Sequence, residues 1–65
     1  MALTNEQRDD KEREFRLGDV RVRDNGTPNQ DLWRALQKRA ATSPGTPARA
    51  EADKQVGIAE AVAGY

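Results

Sequence analysis

The stretch that decides the fold is Thr27-Pro28-Asn29-Gln30-Asp31-Leu32-Trp33-Arg34-Ala35-Leu36-Gln37-Lys38-Arg39-Ala40. Thr27 stands where an N-cap belongs, Pro28 at the first helical position, and Gln30 at the spacing that closes a capping box. Asp31 in the first turn and Lys38 and Arg39 in the last complement the helix dipole at both ends. Leu32, Trp33, Leu36 and Ala40 recur at helical spacing as one narrow apolar stripe. The spacing predicts an amphipathic helix over 28–41, bearing the only concentrated apolar face of the chain.

On the N-terminal side, Thr4 and Gln7 repeat the capping-box spacing, and strong helix formers run on to Leu17 before Gly18. This predicts a helix over 4–17. Opposite charges sit four apart at Arg8 and Glu12, Asp9 and Arg13, and Glu12 and Arg16, which favours helix without favouring a core. From Asn5 to Glu14 no residue is apolar, so this helix is expected to project into solvent or lie on a polar surface, with only Phe15 and Leu17 to bury. Gly18-Asp19-Val20-Arg21-Val22-Arg23 then alternates with period two and reads as an extended strand over 19–23. Asp24-Asn25-Gly26 is a turn signal, but no second alternating run follows to complete a hairpin.

On the C-terminal side, Ala41-Thr42-Ser43-Pro44-Gly45-Thr46-Pro47 has the composition of a linker, placed at 42–46. Thr46 and Pro47 can cap a third helix over 47–63, with Gly64 as its stop. Ala48, Ala52, Val56, Ala59 and Ala63 align on it, with Val62 beside them, and Gly57 in its middle costs up to about 1 kcal/mol against Ala. The expected fold is one small, mostly α unit. It consists of three short helices joined by a short strand or turn and a Pro/Gly linker, extended in shape and with little independent core.

Composition limits the functions available. The chain has 65 residues, no Cys and no His, so disulfides and the usual zinc staples are excluded. The same absence removes the commonest general base and the thiol nucleophile, and Ser43 lies in a linker where nothing would activate it. No glycine-rich phosphate loop is present. Asp9, Asp10, Glu12 and Glu14 form the one acidic cluster a hard cation would use, but Lys11, Arg13 and Arg16 interleave with it, and a solvated charged helix is the better reading. The chain is therefore expected not to be an enzyme, with no catalytic, metal or cofactor-binding residue to nominate. Arg21, Arg23, Arg34, Lys38 and Arg39 would supply a phosphate-contacting patch, yet eleven basic and eleven acidic residues cancel, and no aromatics interleave with them. Nucleic acid is accordingly the least favoured partner. No apolar run of membrane-spanning length occurs, and Met1-Ala2-Leu3 leads straight into polar residues, so cytoplasmic synthesis without a signal peptide is expected.

Leu, Ile, Val and Phe contribute only ten residues in all, a supply typical of chains that struggle to fold alone. Together with the absent staples, this suggests a minor structural or accessory subunit that docks on a larger assembly, a virion or a multisubunit complex, and is ordered by it. Many copies within one assembly are compatible with this reading. Leu32, Trp33, Leu36 and Ala40 are then the anchor, with Phe15, Val20, Val22 and Val56 as further contact residues. A competing view places Leu32, Trp33 and Leu36 in the chain's own small core with Phe15, Leu17, Val20 and Val22. The alternative function is a small regulator or inhibitor that lays the Trp33 helix into a groove on an enzyme.

Overall fold

The computed structural model describes residues 3–18, 22 and 26–65. The three helices expected from the caps are present: α1 over Asn5–Arg16, α2 over Pro28–Ala40 and α3 over Pro47–Ala63. There is no strand among the described residues. The extended stretch expected over 19–23 lies outside them except for Val22, and Val20 is outside them too.

Local chemistry explains each helix boundary. At α1 the capping box is complete: Thr4 Oγ1 accepts from the Gln7 N–H at 3.2 Å, and Gln7 Oε1 accepts from the Thr4 N–H at 2.8 Å. At α2, Thr27 Oγ1 accepts from the Gln30 N–H at 3.2 Å. Here the expected box is modified, because the Gln30 side chain is buried and turned toward the preceding connection. Its Oε1 accepts from the Gly26 N–H at 3.2 Å and its Nε2 donates to the Val22 carbonyl at 3.4 Å. One side chain thus ties the entry of α2 to the chain before it. At α3, Thr46 Oγ1 accepts from the Arg49 N–H and donates to the Ser43 carbonyl. Gly64 stops α3 in the left-handed conformation, φ 88°, which a residue without a Cβ adopts at little cost. The turn sends the Tyr65 N–H back to the Glu60 carbonyl at 2.9 Å.

The helices fold back on one another instead of lying extended. The Cα radius of gyration is 11.0 Å and the principal extents are 31 × 22 × 19 Å, matching the value of about 11 Å for a compact chain of this length. α2 is central and packs against both neighbours, whereas no Cα of α1 lies within 8 Å of one in α3. Phe15 from α1, Leu32 and Leu36 from α2, Val56 from α3, and Val22 form one buried cluster. Ala52 is buried beside them, and Trp33, Ala35, Ala59, Ala63 and Tyr65 pack around it.

Two features build this cluster from few large apolar residues. The small residues of α3 let its backbone approach α2 closely, so Val56 joins the leucines in the cluster and Ala59 and Ala63 pack against it. Long cationic side chains then roof the cluster with their methylene stems. Lys11 lies with Nζ 5.2 Å from the Tyr65 ring centroid and 5.8 Å from that of Phe15, within cation–π range.

The inner face of α1 therefore differs from the solvated helix expected. Arg8, Lys11, Glu12 and Phe15, spaced three, four and seven apart, turn inward as a stripe with a single apolar member. On α2 the buried line is Leu32, Leu36 and Arg39, and Ala40 is exposed. On α3, Ala48 and Val62 point outward, away from the line of Ala52, Val56 and Glu60.

Gly57 lies where Arg8 crosses α3. A Cβ added there would come 4.0 Å from Arg8 Nη2, an ordinary van der Waals separation. Gly57→Ala is therefore expected to stabilise the chain by about 0.5–1 kcal/mol, the usual helix-interior difference. A thermal melt followed by circular dichroism should move up by several degrees. A fall in melting temperature would show that Arg8 needs bare backbone beneath it.

Candidate functional site

The three helices are joined by a charge network that runs from buried Arg39 and Glu60 out to the partly exposed Asp53 and the exposed Asp9. Asp53 of α3 presents one oxygen, Oδ1, to three arginines: Arg39 Nε at 2.7 Å, Arg8 Nη1 at 3.5 Å and Arg49 Nε at 3.8 Å. Arg39, only 3% exposed, also donates from Nη1 to Asp9 Oδ1 at 2.6 Å, so its guanidinium spans α1 and α3 from α2. Arg8 reaches past Asp53 to Glu60, donating from Nε to Oε1 at 2.7 Å and from Nη2 to Oε2 at 3.4 Å. Glu60 is 1% exposed, a burial tolerated by a carboxylate only when a fork of donors answers both oxygens. Arg49 closes the network onto the linker through Nη1 and the Thr42 carbonyl at 2.9 Å.

Burial by itself would lower the Arg39 pKa, but the hydrogen bonds and charges of Asp9 and Asp53 outweigh it, and the net shift is upward. A raised cationic pKa stabilises the fold fully below arginine's ordinary range and is lost only as pH climbs through the raised value. The contribution of Arg39 is therefore constant across the physiological range.

This network redirects several sequence expectations. Of the three i,i+4 pairs expected on α1, only Glu12 and Arg16 pair, at 3.5 Å, because Arg8 and Asp9 reach across to other helices. The acidic cluster is dispersed onto cations: Asp9 meets Arg39, Glu12 meets Arg16 and Glu14 meets Lys11. Arg39 is withdrawn from the basic patch weighed for phosphate contact, and Arg21 and Arg23 fall outside the described residues.

The nominated contact residues also separate. Leu32, Leu36, Phe15, Val22 and Val56 are buried in the chain's own cluster, the competing view of that apolar set, and are occupied internally. Trp33 is half-buried against the same cluster, with its indole Nε1 enclosed and lacking a hydrogen-bond partner, as is Asn29 Oδ1 one turn earlier. Ala40 is exposed and apart from them. Leu17, a member of the competing core set, is 77% exposed.

The apolar surface left uncovered lies elsewhere. Ile58 is 54% and Val62 66% exposed on the outer side of α3. Between them and α2 runs an open groove of about 240 Å³ lined by Asp31, Ala35, Gln55, Ile58, Ala59 and Val62. The sequence signal was available, since Gln55, Ile58 and Val62 recur at spacings of three and four. It was masked by the alanine stripe one residue away.

Among the described residues no group of three or more carboxylates could jointly hold a metal ion, and no helix is long and apolar enough to cross a membrane. No protein-family model, curated protein or solved structure matches this chain.

Arg8→Met would strand the Glu60 carboxylate in the interior. The expected loss is about 3–5 kcal/mol, comparable with the whole stability of a domain this size, on the order of 3–10 kcal/mol. The double variant Arg8→Met/Glu60→Leu removes the stranded charge and should recover most of the loss in urea titrations. If the double variant is as unstable as the single one, the contact of Arg8 with Asp53 sets the cost instead.

Proposed function

We propose that this chain is a non-enzymatic accessory or structural subunit that acts by docking, through the groove between α2 and α3, onto a helical protein surface. The observation that carries the reading is the pair Ile58 and Val62, left exposed beside an apolar recess in a chain with so few large apolar residues. Where apolar side chains are scarce, leaving two adjacent ones half to two-thirds exposed forgoes roughly 1–2 kcal/mol each. A covering partner recovers that energy.

The anchor accordingly moves from Leu32, Trp33 and Leu36 to Ile58 and Val62. The complementary surface must place an apolar side chain between Ala35 and Ala59. It must also answer Asp31, which lines the groove, with a base and Lys38, in the last turn of α2, with an acid. A helix satisfies both demands at once, because its side chains project at matching intervals. The chain would reach such a partner already folded. The ion pairs of Arg8 and Arg39 with Asp53 support this reading, because they fix the register of the three helices within the chain itself.

Native isolation tests the reading. A chain tagged ahead of α1, none of whose residues lines the groove, should be recovered from its source in a complex of fixed stoichiometry. Val62→Glu should release it as free chain, with helicity and melting temperature unchanged because the side chain lies in solvent. A wild-type chain that runs free, or a Val62→Glu chain that stays in the complex, would sink the proposal. Reversible binding that changes an enzyme's activity would point to the regulator instead.

A further inference from the structure

We infer that the groove between α2 and α3 is covered by the same surface of a second copy of this chain, the two hairpins forming an antiparallel four-helix bundle. This rests on the docking reading above and names its partner. The argument begins with charge order along α2. Asp31, Ala35 and Lys38 stand four and three residues apart, on one side of the helix, reading acid, alanine, base. Their outer members are separated by about 10 Å along the axis, with Ala35 within about one residue's rise of the midpoint.

A two-fold axis crossing α2 at Ala35 therefore carries Asp31 onto Lys38 of the second copy, and Lys38 onto its Asp31. An isologous interface requires such self-complementarity, since one patch must be its own partner. Neither residue has an ion-pair partner among the described residues, so both charges are free to be answered from outside. Ala35 on the axis allows the two α2 helices to approach at the short end of the usual 8–10 Å range.

Shape agrees with charge. The groove is lined by two exposed, bulky aliphatic residues, Ile58 and Val62, and by two less exposed alanines, Ala35 and Ala59. A two-fold operation sets the aliphatic pair of each copy against the alanines of the other. Along the outer side of α3, Glu51, Gln55, Ile58 and Val62 follow the alternating four- and three-residue spacing of a helix–helix seam. Ile58 lies near the level of Ala35, so the apolar part of the seam straddles the axis.

Size and net charge are also consistent. A specific interface needs about 1,000 Å² in total, which asks each copy for about an eighth of its 4299 Å² surface, within reach of two adjoining helix faces. Eleven basic and eleven acidic residues cancel, so two copies meet without net repulsion.

Sedimentation equilibrium of the purified full chain, from micromolar to about 1 mM, provides the test. The wild type is expected to populate a dimer, and Val62→Glu to weaken it at least about tenfold, with the helical circular dichroism spectrum kept and the melting temperature lowered only at concentrations where the wild type is dimeric. Asp31→Lys alone and Lys38→Asp alone should each weaken it, since each sets like charges opposite one another. The double variant Asp31→Lys/Lys38→Asp should restore the dimer. An equimolar mixture of the two single variants should form heterodimer in preference to either homodimer. A wild-type chain that stays monomeric throughout the range overturns the inference. So does a dimer indifferent to the charge exchange. If a monomeric chain nonetheless loses its native complex through Val62→Glu, the docking reading stands and its partner is a different protein.

Discussion

Three guanidinium groups, one from each of three separate turns of chain, converge on a single carboxylate oxygen, Asp53 Oδ1. Most of the architecture depends on that convergence. α1 and α3 make no backbone approach to each other, so Arg8, reaching Asp53 and Glu60, is the direct tie between them. Arg39 makes the same connection through α2, by way of Asp9 and Asp53. Interactions of this kind are poor sources of net stability, because desolvating each ion costs several kcal/mol before any attraction is counted. They are good sources of register. A leucine slides past another leucine with little penalty, whereas a forked guanidinium displaced by one turn leaves a buried carboxylate with no donor at all.

The helices were legible in the sequence because their signals are local. Thr4 with Gln7, Thr27 with Pro28, Thr46 with Pro47, and Gly64 each act within one turn, so backbone chemistry determines the boundary whatever surrounds it. The tertiary arrangement was not legible to a reading based on apolar periodicity. Arg8, Lys11 and Glu12 occupy an inward face through their long aliphatic stems, and no hydropathy count registers them as core. Of Phe15 and Leu17, the two residues the sequence offers for burial at the end of α1, only Phe15 is buried, and the expectation that the rest projects into solvent fails at Arg8. Its partners lie 45 and 52 residues away in sequence, at Asp53 and Glu60, and opposite charges so far apart are too common in a chain that is one-third charged to be paired by inspection.

The candidate surface shows the same limitation from the opposite side. α3 carries two stripes offset by one residue, an inner one of Ala52, Val56 and Ala59 and an outer one of Gln55, Ile58 and Val62. By side-chain volume the outer stripe is the more apolar at its C-terminal end, yet it faces water. What decides the inner face is the need for close approach to Leu32 and Leu36, together with the placement of Asp53 and Glu60 opposite the arginines. Small residues win the interior position because α2 already supplies the bulk. The larger aliphatic residues are left on the surface, where they become meaningful as a contact.

A register written in ion pairs has a consequence for how such a chain diverges. Apolar positions in a core of this size accept exchange among Leu, Ile, Val and Met with modest loss, so ordinary sequence identity decays quickly. Arg8, Arg39, Asp53 and Glu60 cannot drift singly, since each loss orphans a charge, and they change only in concert. Descendants of this fold would keep the intervals between those four charges after the surrounding residues had been replaced. Kinship would then be traced by the spacing of two arginines, an aspartate and a glutamate across three capped helices.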